Sequence, residues 1–317
     1  MSDCFSGEET GAYGLGYDID YTDAINEAIN YAAMLGKRRV ILKRGNYGIS
    51  GRIVLKSGVT LEGGGCGPLF SSATIDDTDI MGESRTYIRA MSGWETGNEM
   101  IRVSPDAGAK YPIHGSGLKG LCIDAAGIAP YAIRCLSMNN CTFESLIAAR
   151  ATSVNIDETI MANPVIEGFN ASIHNSWRDI VSWCADGSAT VGWRQIGTTT
   201  NNINRSVYEN LYIIHANGDG MRIHNADTNT YTNLVSYAKG TGRGVKIYGS
   251  DINNSEYGRA LTFINLQPSN GLGAGTGGLY VQDGTVKSPD RIKVFHYNRE
   301  NGTPDPIIGT NSEVDFY

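Results

Sequence analysis

The stretch SVYENLYIIHA, residues 206–216, decides the reading of this chain, because five other segments align on it. They are GLKGLCIDAAG (117–127), CTFESLIAARA (141–151), SWRDIVSWCAD (176–186), NTYTNLVSYAK (229–239) and LTFINLQPSNG (261–271). Each has an apolar residue, two intervening positions, then a second apolar residue. The second members are Leu121, Leu146, Ile180, Leu211, Leu234 and Leu266, separated by 25, 34, 31, 23 and 32 residues. A constant core with unequal gaps is what stacked coils with loops of different length produce.

Just before each of those apolar residues stands a turn former: Gly120, Ser145, Asp179, Asn210, Asn233 and Asn265. Asn tolerates left-handed backbone angles, and stacked Asn side chains can hydrogen-bond from coil to coil. The column reads as structural, which moves Asp179 out of the catalytic candidates. A second strand follows in GDGMRIHN (218–225), GRGVKIYG (242–249) and GGLYVQDG (277–284). There Met221/Ile223, Val245/Ile247 and Leu279/Val281 alternate with polar residues, giving one buried and one wet face.

Upstream, Asp20 or Thr22 can cap a helix over about 20–35 in which Ile25, Ala28, Ile29 and Ala32 recur at helical spacing. Gly36 can end it. Strand-like runs at 39–43, 47–49, 53–55 and 59–61 are separated by Gly45, Gly51 and Gly58 and close on Gly63-Gly64-Gly65. The run DIDYTDAINEAINYAAMLGKRRVILKRGNYGISGRIVLKSGVTLEGGG, residues 18–65, resembles the opening segment of the pectate-lyase-like β-helix superfamily. Shared features are an Asp-rich helix start, an Ala/Ile helix, a V-x-L-x-x-G-x-Y turn and an L-x-G-x-G close. Lys43-Arg44 stands where that family usually has a proline. The resemblance implies an all-β fold, a single-chain right-handed parallel β-helix, whose open N-terminal end is capped by an α-helix. The expected organisation is an extension at 1–17, the β-helix with its helix at 18–286, and a tail covering the coil end at 287–317.

Composition narrows the function. The formal charge is −7 and no Lys/Arg run stands out, so nothing points to nucleic acid. No apolar stretch has the length of a membrane span. The first residues, MSDCFSGEETG, lack a basic region followed by an apolar core, so the expectation is synthesis in a cytoplasm without a secretory signal. Cys4, Cys66, Cys122, Cys135, Cys141 and Cys184 form no close CxxC pair and read as buried, reduced thiols. No cofactor or metal is expected, since no tight Asp cluster is evident.

A parallel β-helix presents long faces of aligned side chains, repeating about every 4.8 Å, near the size of a sugar residue. That suits a polysaccharide. Outward positions after the aligned apolar residue include Asp124, Trp183, Tyr212 and Tyr237, with Arg150, His215 and Lys239 just beyond. These are the candidate substrate-binding residues; the aromatics could equally be contacts under a loop or at a subunit interface. Glycoside hydrolysis needs two carboxyl groups flanking one bond. Asp186 and Asp219 form one candidate pair, and Glu144 with Glu209 a second, two rungs apart with Arg178 between. The second pair could equally be a surface ion-pair ladder. Asn217-Gly218-Asp219 resembles the N-x-D turn of polygalacturonase-like hydrolases, whose D-D and G-H-G turns have no match.

A lyase would need a base and a group neutralising a uronate carboxylate, for which His215, Tyr237, Lys239 and Arg150 are candidates. Acidic candidates outnumber basic ones, so an endo-acting glycoside hydrolase is the first expectation. The combination resembles bacteriophage tailspike depolymerases of exopolysaccharide or capsule, which implies a homotrimer, associated with the virion or released on lysis. A non-catalytic carbohydrate-binding or structural tail protein is the alternative from another class.

Overall fold

The computed structural model describes residues 4–5, 19–65, 85–95, 98–106, 111–160, 172–184, 190–197, 202–238, 241–249, 259–270, 278–299, 303 and 305–317. Its six aligned segments become neighbouring parallel strands of one long sheet, here sheet A, with 13 strands. They include Gly117–Asp124, Thr142–Ala149, Ser176–Trp183, Val207–Ala216, Thr230–Ala238 and Thr262–Asn270. Leu121, Leu146, Ile180, Leu211, Leu234 and Leu266 stand in one register line, as the sequence alignment has them. The protein is an all-β parallel β-helix, with one helix among the described residues, near its N-terminus.

The turn column explains how one strand serves two faces. Gly120, Ser145, Asp179, Asn210, Asn233 and Asn265 all have φ between 53° and 62°. One left-handed residue bends each strand sharply, so the apolar residues on both sides of the bend point into the coil. Three residues before each aligned Leu or Ile, Phe143, Trp177, Tyr208, Tyr231 and Phe263 share a register line and are fully buried. Phe143 stacks on Trp177 at 3.7 Å between ring centres, and Tyr231 on both Tyr208 and Phe263 at 4.7 Å. Stacked burial of this size is the main stabilising contribution along the coil.

A second parallel sheet of nine strands, sheet B, faces sheet A across the core. Its strands include Ile53–Leu55, Glu99–Val103, Tyr131–Leu136, Val154–Thr159, Val191–Ile196, Asp219–His224, Val245–Tyr248 and Leu279–Gln282. Ile101, Ile133, Ile156, Trp193, Met221, Val245 and Leu279 line up inward. A third sheet of five two-residue strands, among them Met138–Asn139 and Ile203–Asn204, closes each turn.

The helix is Thr22–Met34, burying Ile25, Ile29 and Ala32, and it ends at Gly36 with φ 65°. Asp20 holds its start by accepting from the Thr22 backbone N–H at 2.9 Å, and it also accepts from Ser50 across the first turn. Cys122, Cys135, Cys141 and Cys184 are buried. Burial pushes the Cys141 and Cys184 thiols up to about 11 and about 12, so they stay protonated. Cys66 lies outside the described residues, and Cys4 is placed in backbone only.

The last segment does more than the expected covering of the coil end. Ile292–Tyr297 and Val314–Phe316 add further strands to sheet A, and Ile307–Ile308 adds one to sheet B. The coil register therefore continues past residue 286. At the other end, Cys4–Phe5 pairs with Arg39–Leu42. Among the described residues no helix is long and apolar enough to cross a membrane.

Candidate functional site

Two outer faces compete for the site. On sheet A, before the bend, Lys119, Glu144, Arg178 and Glu209 occupy one register line. Lys119 pairs with Glu144 at 3.2 Å and Arg178 with Glu209 at 2.9 Å. Signs alternate strictly from rung to rung, so the column neutralises itself. Glu144 and Glu209 thus stand in the ion-pair ladder that the sequence offered as their other reading.

After the bend, the outer face of sheet A is apolar. Trp183 pairs with Ala149 and Ile214 and packs on Tyr87, Cys122, Ile147 and Ala149, all buried. Tyr212 and Tyr237 lie 5.9 Å apart, tilted by 55°. Asp124 is buried and engaged: Arg150 Nε donates to it at 2.7 Å, the Tyr87 hydroxyl at 2.6 Å and the Ala126 N–H at 2.9 Å. Asp124 and Arg150 are therefore turned toward each other. His215 lies in the strand Val207–Ala216 at a register shift between Ile213 and Ala216. Asp186 and Lys239 fall outside the described residues.

Sheet B carries the denser charge. The alternation that buries Ile101, Ile133, Ile156, Trp193, Met221 and Val245 turns the next residue outward each time. Those residues are Arg102, Arg134, Asp157, Arg194, Arg222 and Lys246, one per rung. Beside the column, Glu99 is fully buried and ion-paired to Arg52 at 2.7 Å and to Arg102. Asp157, also fully buried, accepts from Arg134 at 3.0 Å and from Arg194 at 2.8 Å.

Arg134 also reaches Glu99 at 4.0 Å, so one guanidinium spans both carboxylates. Across its planar fork the two carboxylates stand no more than about 9 Å apart. The Tyr131 ring lies beneath, with the Arg134 and Arg194 guanidinium carbons 4.9 and 5.9 Å from its centre. Burial works against the Arg194 cation, but the hydrogen bond and charge of Asp157 more than offset it, and its pKa is raised.

Asp219 belongs to this face. It opens the strand Asp219–His224, accepts from Arg222 at 2.6 Å and from the Arg243 backbone N–H at 2.8 Å, and is nearly buried. At the C-terminal end Lys246 sits over the rings of Tyr248 and Tyr280 at 4.5 and 5.3 Å. Among the described residues no group of three His, Cys, Asp or Glu side chains gathers to hold a metal ion.

The structure thus brings Asp219 together with residues the sequence reading passed over: Glu99, Tyr131, Arg134, Asp157 and Arg194. A signal for them exists in the sequence. An apolar residue followed by a charged one recurs as Ile101-Arg102, Ile133-Arg134, Ile156-Asp157, Trp193-Arg194, Met221-Arg222 and Val245-Lys246. Only the last two rungs were read as strands.

No family model matches the chain, and no curated protein matches it either. Solved structures do. ORF18 of Geobacillus virus E2 superposes with a TM-score of 0.59 at 14% identity, covering 93% of this chain and 52% of that one. The N-terminal fragment of gene product 12 from bacteriophage Phi29 gives 0.57 at 15%, covering 92% and 46%. The tailspike gp49 of Acinetobacter baumannii bacteriophage Fri1, a capsular polysaccharide depolymerase, gives 0.55 at 13%, covering 96% and 50%. At such identities the likeness is one of fold. The chain spans about half the length of these structures.

Proposed function

We propose that this protein is a polysaccharide depolymerase that lays its polymer along the outer face of sheet B. The observation that carries the reading is the register-aligned charged column from Arg102 to Lys246, backed by Glu99 and Tyr131. Rungs about 4.8 Å apart offer one contact per sugar. The depolymerase among the fold neighbours supports the reading. A homotrimer of this chain belongs to it and is tested by the mass of the native particle.

Hydrolysis is the first chemistry considered. Asp219, which accepts a hydrogen bond from Arg222, is the base or nucleophile, and Asp186 is its acid partner. Elimination is the second, favoured by one specific arrangement: the Tyr131 phenol beside two guanidinium groups. A phenol can carry the proton while Arg134 or Arg194 neutralises a uronate carboxylate.

The experiment incubates the protein with a broad panel of bacterial exopolysaccharides and follows viscosity and reducing ends. Absorbance near 235 nm separates the two chemistries, since only elimination leaves an unsaturated product. Cleavage of none of the panel would reject the enzymatic reading in favour of a binding or structural tail protein.

A further inference from the structure

We propose that the polymer on sheet B is an acidic, uronate-bearing polysaccharide, and that the column Arg102, Arg134, Arg194, Arg222 and Lys246 is its binding track. This rests on the placement of the site in the preceding section. The two ladders of this molecule make the case. On sheet A, Lys119, Glu144, Arg178 and Glu209 alternate in sign, the arrangement expected of a ladder that only stabilises the coil.

Sheet B breaks that rule twice. Arg102 lies directly opposite Arg134, and Arg194, Arg222 and Lys246 follow one another on three successive rungs. Like charges one rung apart repel. The carboxylates do not cancel it, neither Asp157, which stands in the column between Arg134 and Arg194, nor Glu99 beside it. Glu99 is shared between Arg52 and Arg102, and Asp157 between Arg134 and Arg194. Counting Asp219 and Glu95, whose charge acts on Arg52, four carboxylates face six cations among the described residues. The face is cationic in a chain whose formal charge is −7.

The cations are placed to be used. Arg52, Arg102, Arg134 and Arg194 keep 23–28% of their side-chain surface exposed, while the carboxylates that orient them are buried. A guanidinium has five N–H donors and a carboxylate partner takes at most two, so outward donors remain for a second anion. A negative group arriving from solvent relieves the repulsion within the column. Tyr131, Tyr248 and Tyr280 supply flat surfaces beside the cations, which suit sugar rings. A rung repeat of about 4.8 Å, cationic on every rung of the column but that of Asp157, fits a sugar acid better than the wider phosphate spacing of an extended nucleic acid strand.

The test is binding, measured by affinity electrophoresis with polygalacturonate, alginate and hyaluronate. Carboxyl-reduced polygalacturonate and a single-stranded DNA oligonucleotide are the controls. Retardation by at least one acidic polysaccharide is expected, weakening as NaCl is raised, with none by the carboxyl-reduced polymer. Lys246→Gln and Arg194→Gln should each weaken it about tenfold. Arg39→Gln, on sheet A and paired with Glu62, should leave it unchanged. Thermal melting checks that each variant is folded, and Lys246→Gln disturbs no buried partner.

Equal retardation by the carboxyl-reduced polymer, binding to none of the three, tighter binding of DNA, or indifference to Lys246→Gln overturns the proposal. Cleavage of a neutral polymer without acidic binding overturns it while leaving the depolymerase intact. Acidic binding without any cleavage does the reverse.

Discussion

Asn210 donates from its side-chain amide to the Asp179 carboxylate one rung below, at 2.8 Å, and both residues hold left-handed backbone angles. The chain of bonds continues upward. Asn233 donates to Asn210 at 2.9 Å and Asn265 to Asn233 at 2.8 Å. Each residue thus pins the bend of its own rung and ties it to the next.

Replacing Asn210 by Ala removes two exposed hydrogen bonds and forces a Cβ-bearing, non-Asn residue into φ 53°. The expected loss is roughly 2–3 kcal/mol in urea unfolding. Asn210→Gly loses the same bonds without the backbone strain and should be about 1 kcal/mol better than Ala. Asp179→Asn completes the amide ladder and should keep full stability and activity. Equal losses for Ala and Gly would show that the left-handed angle is not what the column is selected for.

Glu158 points into the coil, fully buried, and accepts from the Tyr208 hydroxyl at 2.9 Å and Gln195 Nε2 at 3.0 Å. Burial raises its carboxyl to about 7, and the bonds from Tyr208 and Gln195 only partly oppose this. The folded value lies above the unfolded one. Its contribution is therefore fully present below about pH 4.5 and is lost as pH rises through 7. The amplitude is on the order of 3 kcal/mol. Glu158→Gln keeps an acceptor for both donors and abolishes that slope. Urea midpoints at pH 5 and pH 8 should converge for the variant relative to the unsubstituted protein. Parallel pH profiles would mean that Glu158 titrates normally.

Trp177 is fully buried, stacked on Phe143, with its indole N–H lacking a hydrogen-bond partner among the described residues. Trp177→Ala should cost about 3–5 kcal/mol. Trp177→Phe keeps the stack that Phe143 and Phe263 already make in this column and removes the orphaned donor, so its loss should stay below about 1.5 kcal/mol. Thermal melts of the two variants decide it. Similar losses would mean that neither the ring nor the volume kept by Phe matters, and that the site requires the indole itself.

The fold was legible because its requirement repeats. Every rung needs a left-handed residue followed by an apolar one, and Asn210, Asn233 and Asn265 announce that need in the sequence. The site was less legible for a physical reason. The strands of sheet B carry no such bend, and their pattern of one inward and one outward residue is short. Arg134 and Asp157 look like ordinary polar positions until the register sets them side by side. Glu99 and Tyr131 gain their meaning from guanidinium groups of their own strand together with those of other rungs. Trp183 holds an outward position on sheet A and is half-buried against Ile147 and Ala149.

The choice between faces is decided by paired carboxylate variants. Glu144 and Glu209 are partly exposed and partnered by the exposed cations Lys119 and Arg178. Removing their charge costs at most about 1 kcal/mol of stability per pair, because solvent screens such ladders. Asp157 is fully buried and orients two arginines of the proposed track. Asp157→Asn leaves those guanidinium groups without their shared anion, costing on the order of 3 kcal/mol and misplacing both. Asp219→Asn frees Arg222 at less structural cost, since Arg222 is more exposed than Arg134 or Arg194. On the proposed site, the Glu144→Gln/Glu209→Gln double variant keeps its rate of viscosity loss on whichever polymer is cut. Asp219→Asn falls at least a hundredfold with an unchanged melt, and Asp157→Asn loses both rate and stability. The opposite ranking, with the sheet A double variant inactive and Asp219→Asn fully active, would move the chemistry to the other face of the coil.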